Sequence, residues 1–520
     1  MKKLLVFLAL TTCTIHADDD DFNQPLHGKT FLAPRSPSVN AAQELAIWHP
    51  YINQYCQDFY GAFATTLSLG SSYRPERLAE YFWALDQLTI TGSQVANRDN
   101  EIQLLADYFG LSPLFQSTVR MRPKIHTGLV DFNLYLGYQN FYFRIHAPYV
   151  WTRWNYQLFE TIAPGVPLPG SYPAGYMGAG IVPAPATSFE QAIAGNLTWG
   201  DVSQPLLFGR IAGPQSKKGF AEAQLALGWN FLNSSIGHAG LNIRGSIPAG
   251  NRSQAIYLFE PILGNGRHPE LGMGFTGHLI LWEKDGEQTV GIYADVNITH
   301  LFNARQRRSF DLINPSDPQN INYKGSGTRY ILAKVFDSAG NYTGVTQPAI
   351  NITTLECDVS VAVQIDAVFM ASYQYKNYLV DFGYNAWLRS REMISNREHI
   401  QNNRYALKGI QDALGNGTQS TATIFGNDFA DQAAVADPAP PVFFNDNQID
   451  EKSAQASRGF THKLFGSFGY SWDECTCFVQ PFIGVGAQFE FEGLNPRHDI
   501  KANKNSISQW AVWLKGGFGF

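Results

Sequence analysis

Ionisable side chains recur in segments of the chain that otherwise alternate between apolar and polar residues, and they fall on the polar side of that alternation. Asp295 does so within 288–303, Asp381 within 377–392 and Glu490 within 477–492. The full set of such candidates is Arg244, Asp295, Asp366, Asp381, Arg389, Arg391, Glu490 and Lys515. Opposed charges that face a confined aqueous space set a field that screens ions and orients dipolar solutes. These residues therefore predict electrostatic selection of solutes rather than bond making.

Motifs of catalysis, cofactor binding and metal binding do not emerge from the sequence. There is no Gly-x-Ser-x-Gly elbow and no His-Glu-x-x-His helix, and no histidine pairs with a cysteine at ligand spacing. The glycine-rich turn at 264–266 lacks the Lys-Ser/Thr of a phosphate-binding loop. His300 falls on an apolar register, but neither neighbouring segment places a serine beside it. We therefore expect no catalytic, cofactor or metal residues and no enzymatic activity.

Twelve strand-like segments position the charged residues, and the connections between them alternate in length. The segments lie near 57–70, 124–138, 141–155, 218–232, 237–249, 269–284, 288–303, 356–373, 377–392, 459–472, 477–492 and 506–520. Short turns centre on Gln139-Asn140, Asn233-Ser234-Ser235, Asp285-Gly286, Lys376-Asn377 and Asp473-Glu474. Long loops lie at about 71–123, 156–217, 250–268, 304–355, 393–458 and 493–505. An even strand number with short turns at one end and long loops at the other is typical of a closed membrane barrel.

The alternation gives each segment an apolar face and a polar face. Two large aromatic residues break the rule by standing on the polar face, Phe482 in 477–492 and Trp513 in 506–520. Other aromatic residues gather beside the short turns, namely Tyr138, Phe141, Trp229, Phe231, Trp282, Tyr373, Tyr378, Tyr470, Trp472 and Phe478. Amphipathic rings gain by lying at a membrane–water boundary, so this recurrence predicts an aromatic girdle around the turn end of a barrel.

The two ends of the chain carry the features of an exported barrel. Residues 1–17 contain two lysines, an apolar run and a small final residue, which is the layout of a cleaved signal peptide. The last segment alternates strictly and ends on Phe518 and Phe520. A signal peptide combined with a terminal aromatic strand resembles the bacterial outer-membrane β-barrel proteins. Their pattern also has a glycine five residues before the final aromatic, where this chain has Lys515.

The resemblance implies an all-β fold, a closed antiparallel transmembrane β-barrel of about 12 strands with short periplasmic turns and long extracellular loops. Phe518 and Phe520 would be the assembly signal. The expected parts are a signal peptide at 1–17, a periplasmic N-terminal segment or plug at 18–56, and the barrel at 57–520, with both chain ends on the periplasmic side. Composition agrees, since 14% of residues are aromatic and only 16% are charged, against a usual charged fraction of about 25%.

The expected function is that of a porin-like channel in the outer membrane for passive diffusion of small hydrophilic solutes or ions. Two alternatives stay open, a barrel that displays its loops as an adhesin or receptor, and a transporter of hydrophobic solutes if 18–56 fills the lumen. Expected partners are membrane lipids, the outer-membrane assembly machinery and small solutes, with an oligomer left open. A formal net charge of −6 argues against nucleic acid as a partner.

Three local features complete the expectations. Pro75 to Leu88 has apolar residues at helical spacing, which predicts a short helix in the first long loop. The Pro- and Gly-rich loop at 156–217 is interpreted as a surface lid, with folding into the lumen as the alternative. Cys56, Cys475 and Cys477 belong to the periplasmic end, where a disulfide from Cys56, free thiols and intermolecular bonds are all open.

Overall fold

The structure, a computed structural model, describes residues 28–96, 103–173, 176, 180–313, 327–408, 441, 443–472, 479–492 and 505–520. The predicted signal peptide, the turn at Asp473-Glu474, and Cys475 and Cys477 lie outside these residues. In the part that is described, Cys357 is buried and Cys56 is partly exposed just before the first barrel strand, so its predicted pairing stays a prediction. No helix among the described residues is both long and apolar enough to cross a membrane.

Twelve antiparallel strands form a closed barrel, which confirms the predicted fold class. They are β1 (Phe59–Ser72), β2 (Lys124–Tyr138), β3 (Phe141–Asn155), β4 (Glu222–Ser234), β5 (Gly237–Pro248), β6 (Glu270–Lys284), β7 (Gln288–Ser309), β8 (Thr354–Tyr375), β9 (Tyr378–Arg389), β10 (Gly459–Ser471), β11 (Gln480–Glu492) and β12 (Gln509–Gly519). Each strand pairs with its neighbours along the chain. The barrel closes because β12 also pairs with β1, from Gly519 opposite Ala62 to Gln509 opposite Ser72.

The described short turns lie at one end of the barrel, the turn end, and the long loops lie at the other, the loop end. β7 and β8 are longer than predicted, with 22 residues each, whereas β9 and β12 are shorter, with 12 and 11. The loop-end residues of β7 and β8 pair with each other through register shifts. A further strand, Gln215–Phe220, continues the line of β4 and pairs with β3.

The long loops pack into a cap over the loop end. Its short strands are Gln87–Thr91, Leu104–Leu105, Gln116–Met121, Leu158–Ile162, Ser171–Tyr172, Val182–Pro183, Asp311–Leu312, Leu332–Phe336, Tyr342–Pro348, Glu392–Ser395, Tyr405–Leu407 and Ile449–Asp450. The α-helices among the described residues are α1 (Ala41–Leu45), which lies in the lumen, and α2 (Pro75–Trp83), α3 (Phe189–Ile193), α4 (Ile350–Thr353) and α5 (Glu451–Ala454) in the cap. Single 3₁₀ turns lie at His49–Tyr51, Ala106–Phe109, Thr328–Tyr330 and Asp446–Gln448.

The cap has a hydrophobic core of its own, in which Trp83 stacks on Tyr330 with 5.7 Å between ring centroids. The helix predicted for Pro75 to Leu88 ends earlier, at Trp83, because Ala84 adopts a left-handed conformation with φ 61°. The loop at 156–217 contributes Phe189 to this core. This part of the loop therefore packs in the cap and not in the lumen. The lumen is filled instead by residues 28–58, which are called the plug below.

Candidate functional site in the barrel lumen

The inner wall of the barrel is polar because alternate side chains of each strand point inward. Asp366 on β8, Asp381 on β9 and Glu490 on β11 all lie on this inward register and are at most 4% exposed. Lys515 on β12 points inward as well and is 1% exposed. The wall thus presents buried charges of both signs, and each of them needs a partner.

The plug runs down the lumen from the loop end to the turn end. At the loop end, the backbone N–H of Lys29 donates to the carbonyl oxygen of Tyr81 in α2 over 2.8 Å. At the turn end, the backbone N–H of Gln54 donates to the hydroxyl of Tyr60 in β1 over 3.0 Å. The first described residues therefore lie at the loop end. The sequence left a periplasmic segment and a plug open for 18–56, and the described part of this segment passes through the lumen before it enters β1.

Arg35, in the upper part of the plug, lies between carboxylates on separate strands of the wall. Its guanidinium forms ion pairs with Asp366 at 2.9 Å and with Glu490 at 3.1 Å, and it donates to Asn385 Oδ1 at 2.7 Å. All four side chains are buried. Removing one partner of a buried ion pair leaves an uncompensated charge. The Arg35 side chain therefore neutralises this part of the wall only while the plug is in place.

Glu44, in α1, lies against a second charged cluster on β2, β3 and β7. Its carboxylate pairs directly with the Arg144 guanidinium and lies 3.7 Å from His146 Nδ1. Arg144 lies 3.6 Å from Asp295, and His146 Nε2 lies 2.8 Å from Asp131. Glu44 therefore contacts β3 directly, and Arg144 and His146 connect it to β7 and β2.

Lys515 binds the C-terminal end of the same helix. Its ammonium donates to the carbonyl oxygens of Gln43, of Glu44 at 3.2 Å and of Ala46 at 2.8 Å. The last carbonyls of a helix have no intrahelical partner and carry partial negative charge. A lysine thus stands at the position where the outer-membrane pattern has glycine, and it caps α1 from the wall.

Asp381 holds the turn that follows α1. Its carboxylate accepts hydrogen bonds from the backbone N–H of Ile47 at 2.8 Å and from Ser467 Oγ at 2.9 Å, and it lies 3.1 Å from His49 Nε2. Ile47 adopts φ 67°, a conformation that a β-branched residue rarely takes. This turn therefore depends on the contacts that Asp381 provides.

The lower part of the plug packs against aromatic side chains of the wall. Tyr51 stacks on Phe482, with ring centroids 4.6 Å apart and planes 20° apart. Trp513 is buried in the same cluster, together with Trp48 of the plug. Phe482 and Trp513 are the two aromatic exceptions on the polar register, and the plug supplies the apolar surface that buries them. Gly484 makes room for Ile47, since a β-carbon at that position would overlap the Ile47 side chain.

Little free volume remains beside the plug. The cavities that flank Arg35 and Leu45 measure about 30 to 40 Å³, which is room for a few water molecules. A larger pocket of about 530 Å³ opens below the plug at the turn end, between Tyr51, Tyr378 and Trp472. The lumen of this structure is therefore occupied rather than open.

The outer face of the barrel is apolar, with Leu227, Ile243 and Val485 each more than half exposed. A closed barrel pairs its backbone polar groups internally, and an apolar exterior suits it to lipid. The chain spans the bacterial outer membrane with these twelve strands. At the seam, Phe520 exchanges two backbone hydrogen bonds with Gly61, of 2.8 and 2.9 Å.

Comparison with solved structures finds outer-membrane barrels. An outer-membrane channel from Pseudomonas putida F1 aligns with 8% identity over 90% of this chain and 98% of that one, with a TM-score of 0.35. The transport unit of the autotransporter AIDA-I from Escherichia coli aligns with 8% identity over 94% and 99%, with a TM-score of 0.29. A FadL homologue from Pseudomonas aeruginosa aligns with 7% identity over 95% and 97%, with a TM-score of 0.27. No protein-family model and no curated protein sequence matches the chain.

The predicted site residues fall into two groups. Five of them contact the plug or a wall residue that contacts it, namely Asp295, Asp366, Asp381, Glu490 and Lys515. Arg389 joins them near the loop end, where it donates to the carbonyl oxygen of Ala33 at 3.3 Å and pairs with Glu392 at 3.1 Å. Arg244 instead donates to Gln224 of the neighbouring strand at 3.3 Å. Arg391 lies beyond the end of β9 and is partly exposed.

Several residues of the site were not among the sequence candidates. Arg144 and His146 share the inward register of β3, and Lys463 has the same place on β10, where its ammonium donates to Asn40 Oδ1 at 2.9 Å. The alternation rule applied to these strands would have found all three. Arg35 and Glu44 carry no such signal, because the plug has no strand periodicity.

Proposed function

We propose that the protein is an outer-membrane channel for small hydrophilic solutes or ions, which the plug closes and which conducts when the plug is displaced. The observation that carries this proposal is the position of Arg35 between Asp366 and Glu490. An ionic contact of this kind can be replaced by water and counterions once the plug moves. The same wall then offers hydrated carboxylates to a solute.

The chemistry of the wall favours a hydrophilic solute. Inward side chains at mid-barrel include Asn297, Gln364 and Asn385 in addition to the charged residues. A hydrophobic solute in contact with these groups would remove their water without replacing its hydrogen bonds, which is unfavourable. This argues against the transporter of hydrophobic solutes, even though that alternative shares the plug.

The width of the barrel supports closure by a single segment. Twelve strands enclose a narrower lumen than the 16 to 18 strands of open porins. One extended chain with a five-residue helix, α1, reaches the wall on several sides, as the partners of Glu44 and Lys515 illustrate. Displacement of this one segment would therefore open a path along the lumen.

The test replaces Arg35 by Ala and measures conductance in planar bilayers. We expect rare openings from the unmodified protein and frequent openings from Arg35→Ala, because the plugged state then leaves Asp366 buried without its cation and Glu490 with only Lys463, 3.6 Å away. The open state should prefer cations, and more so at low salt. Arg305→Ala is the matched control, since Arg305 lies on the outer face of β7 and pairs with Asp358 at 3.4 Å. Folding of Arg35→Ala is checked by heat-modifiable migration on gels. Folded Arg35→Ala protein that opens no more often than the control would refute the proposal.

A second candidate function is that of a surface receptor, which the packed cap favours. Its core buries Arg329 in an ion pair with Asp311 at 2.8 Å, and it forms one body over the loop end. A rigid cap can present a constant surface to a partner, whereas loose loops cannot. Protein that never conducts with any plug substitution, yet retains its cap, would favour this candidate.

A further inference from the structure

A group of basic side chains projects from the outer wall at the loop end of β2 and β3. Lys124 and His126 lie on the outward register of β2, Arg153 lies on that of β3, and Lys218 lies on that of Gln215–Phe220. All four side chains are exposed. The residues next to them in each strand point to the opposite face of the sheet. These four residues are called the basic patch.

Strand register brings the members of the basic patch together. His126 is directly opposite Arg153, and Arg153 is opposite Ser216, two residues from Lys218. Lys124 is diagonal to Arg153, since it is opposite Asn155. Directly opposite β-carbons are about 4.5–5.5 Å apart and diagonal pairs about 7–8 Å apart. The patch therefore concentrates three full positive charges within the reach of one anionic headgroup.

The basic patch lies at the depth of lipid headgroups in the outer leaflet. A strand crosses the hydrocarbon core in about 9–11 residues. Counted from Tyr138, whose exposed ring marks the turn-end boundary, the core ends near Gly128. His126 and Lys124 are the next outward residues of β2, so they lie just beyond the hydrocarbon, where phosphate groups are found.

The described residues do not neutralise the charges of the patch. Among the described residues, no carboxylate forms an ion pair with Lys124, Arg153 or Lys218, and the nearby Glu260 pairs with Lys217 instead. Two outward cations of β7 differ from the patch, since Arg305 contacts Asp358 and Arg307 contacts Glu356 at 3.1 Å.

Aromatic side chains lie directly below the basic patch. Trp151 is opposite Lys218 and is exposed, and Phe220 packs edge-on against Tyr149 with 5.2 Å between centroids. We propose that the basic patch binds the phosphate groups of a lipid of the outer leaflet, with its acyl chains lying against these rings. Phosphate oxygens accept charge-assisted hydrogen bonds from Lys and Arg, which are stronger than neutral ones. The lipid that we propose as the ligand is phosphorylated lipid A.

The test compares lipid binding by the detergent-solubilised full chain, measured by native mass spectrometry. The probes are lipid A with its phosphates, the same lipid A after removal of its phosphates, and inorganic phosphate alone. The variant combines Lys124→Gln, Arg153→Gln and Lys218→Gln, and the control combines Arg305→Gln and Arg307→Gln. Each protein is first checked for heat-modifiable migration, and exposed side chains of this kind are tolerated by the fold.

We expect the triple variant to bind phosphorylated lipid A about a hundredfold more weakly than the unmodified chain, since each basic residue near an anionic lipid surface contributes measurably. The control should bind as the unmodified chain does, and added salt should reduce the difference. Equal affinity in the triple variant, or equal affinity for the dephosphorylated lipid, would overturn the proposal. Inorganic phosphate binding as tightly as lipid A would also overturn it, because the acyl chains would then contribute nothing.

Discussion

The Asp381 carboxylate of β9 accepts a hydrogen bond from the backbone N–H of Ile47 in the plug, with 2.8 Å between the two atoms. Ile47 holds φ 67° at this point. A non-glycine residue in such a conformation costs on the order of 1–3 kcal/mol and persists only where its surroundings impose it. The wall thus keeps a strained turn of the plug in place.

Replacing Asp381 by Ala should release this turn and raise the frequency of channel openings in planar bilayers. The backbone N–H of Ile47 loses its acceptor. The strain at Ile47 then destabilises the plugged state relative to the state in which the plug is displaced. Asn297→Ala is the control, because Asn297 is inward on β7 and makes no described hydrogen bond to the plug. Equal opening frequencies in the two variants would count against the role given to Asp381.

Enlarging Gly484 should displace the plug by crowding rather than by loss of a bond. A β-carbon at this position would overlap the Ile47 side chain and would also lie 2.7 Å from the carbonyl oxygen of Phe468 in β10. Gly484→Val therefore crowds both the plug and the wall, and heat-modifiable migration on gels must first show that the barrel has formed. We expect more frequent openings and faster proteolysis within the plug. Gly516→Val is the matched control on the adjacent strand, where a β-carbon would meet only the Phe482 carbonyl oxygen at 3.7 Å. Equal rates of proteolysis within the plug in the two variants would contradict this prediction.

The barrel could be predicted from the sequence because its signals are local. Alternation, turn residues and the parity of loop lengths each report the strand in which they occur, and the strand from Lys124 to Tyr138 has its predicted ends. The inward direction of Asp381 and Glu490 followed from the same period of two. Each of these properties depends on neighbours in the chain.

The plug could not be predicted in its details because its contacts join distant residues. Arg35 is more than 300 positions from Asp366, and the segment around it has neither helical nor strand periodicity. One signal was present in the sequence: Phe482 and Trp513 stand on a register that should face water. Large aromatic residues on the inward face of a narrow barrel indicate that something other than water fills it.

Deleting Phe520 should lower the yield of folded, heat-modifiable protein. Its two backbone hydrogen bonds to Gly61 extend the pairing of β12 with β1 at the barrel seam, and its exposed ring lies at the turn-end boundary. Phe520→Tyr keeps the backbone and an amphipathic ring, so it should assemble nearly as well. Folded yield that is unchanged by the deletion would remove Phe520 from the assembly signal.

The cap should lose one of its surface attachments in acid. Hydrogen bonds from Arg397 and His399, and from the backbone N–H of Ile400, hold the pKa of the Asp446 carboxyl well below its ordinary value. A carboxyl with a lowered folded-state pKa stabilises the fold above its unfolded pKa of about 3.9, and this contribution is lost as pH falls further. Since the Asp446 side chain is partly exposed and its ion pairs lie at the surface, the contribution is limited to about 1 kcal/mol.

Asp446→Asn should therefore be cut by pepsin faster than the unmodified protein near pH 4.5, and the ratio of the two rates should approach one as pH falls toward 2. The ratio cancels the pH dependence of pepsin itself. A ratio that stays constant over this range would show that ionised Asp446 does not stabilise the cap.

A reversible crosslink between plug and wall tests most directly whether movement of the plug opens the channel. A β-carbon at position 469 would lie 3.1 Å from Ile47 Cγ2, so Ile47→Cys and Gly469→Cys are placed to form a disulfide. The pair is introduced into Arg35→Ala protein in which Cys56, Cys475 and Cys477 are Ser. Conductance should be absent while the disulfide is intact, as verified by mass spectrometry, and should appear on reduction. Equal conductance before and after reduction, or none in either state, would contradict the account.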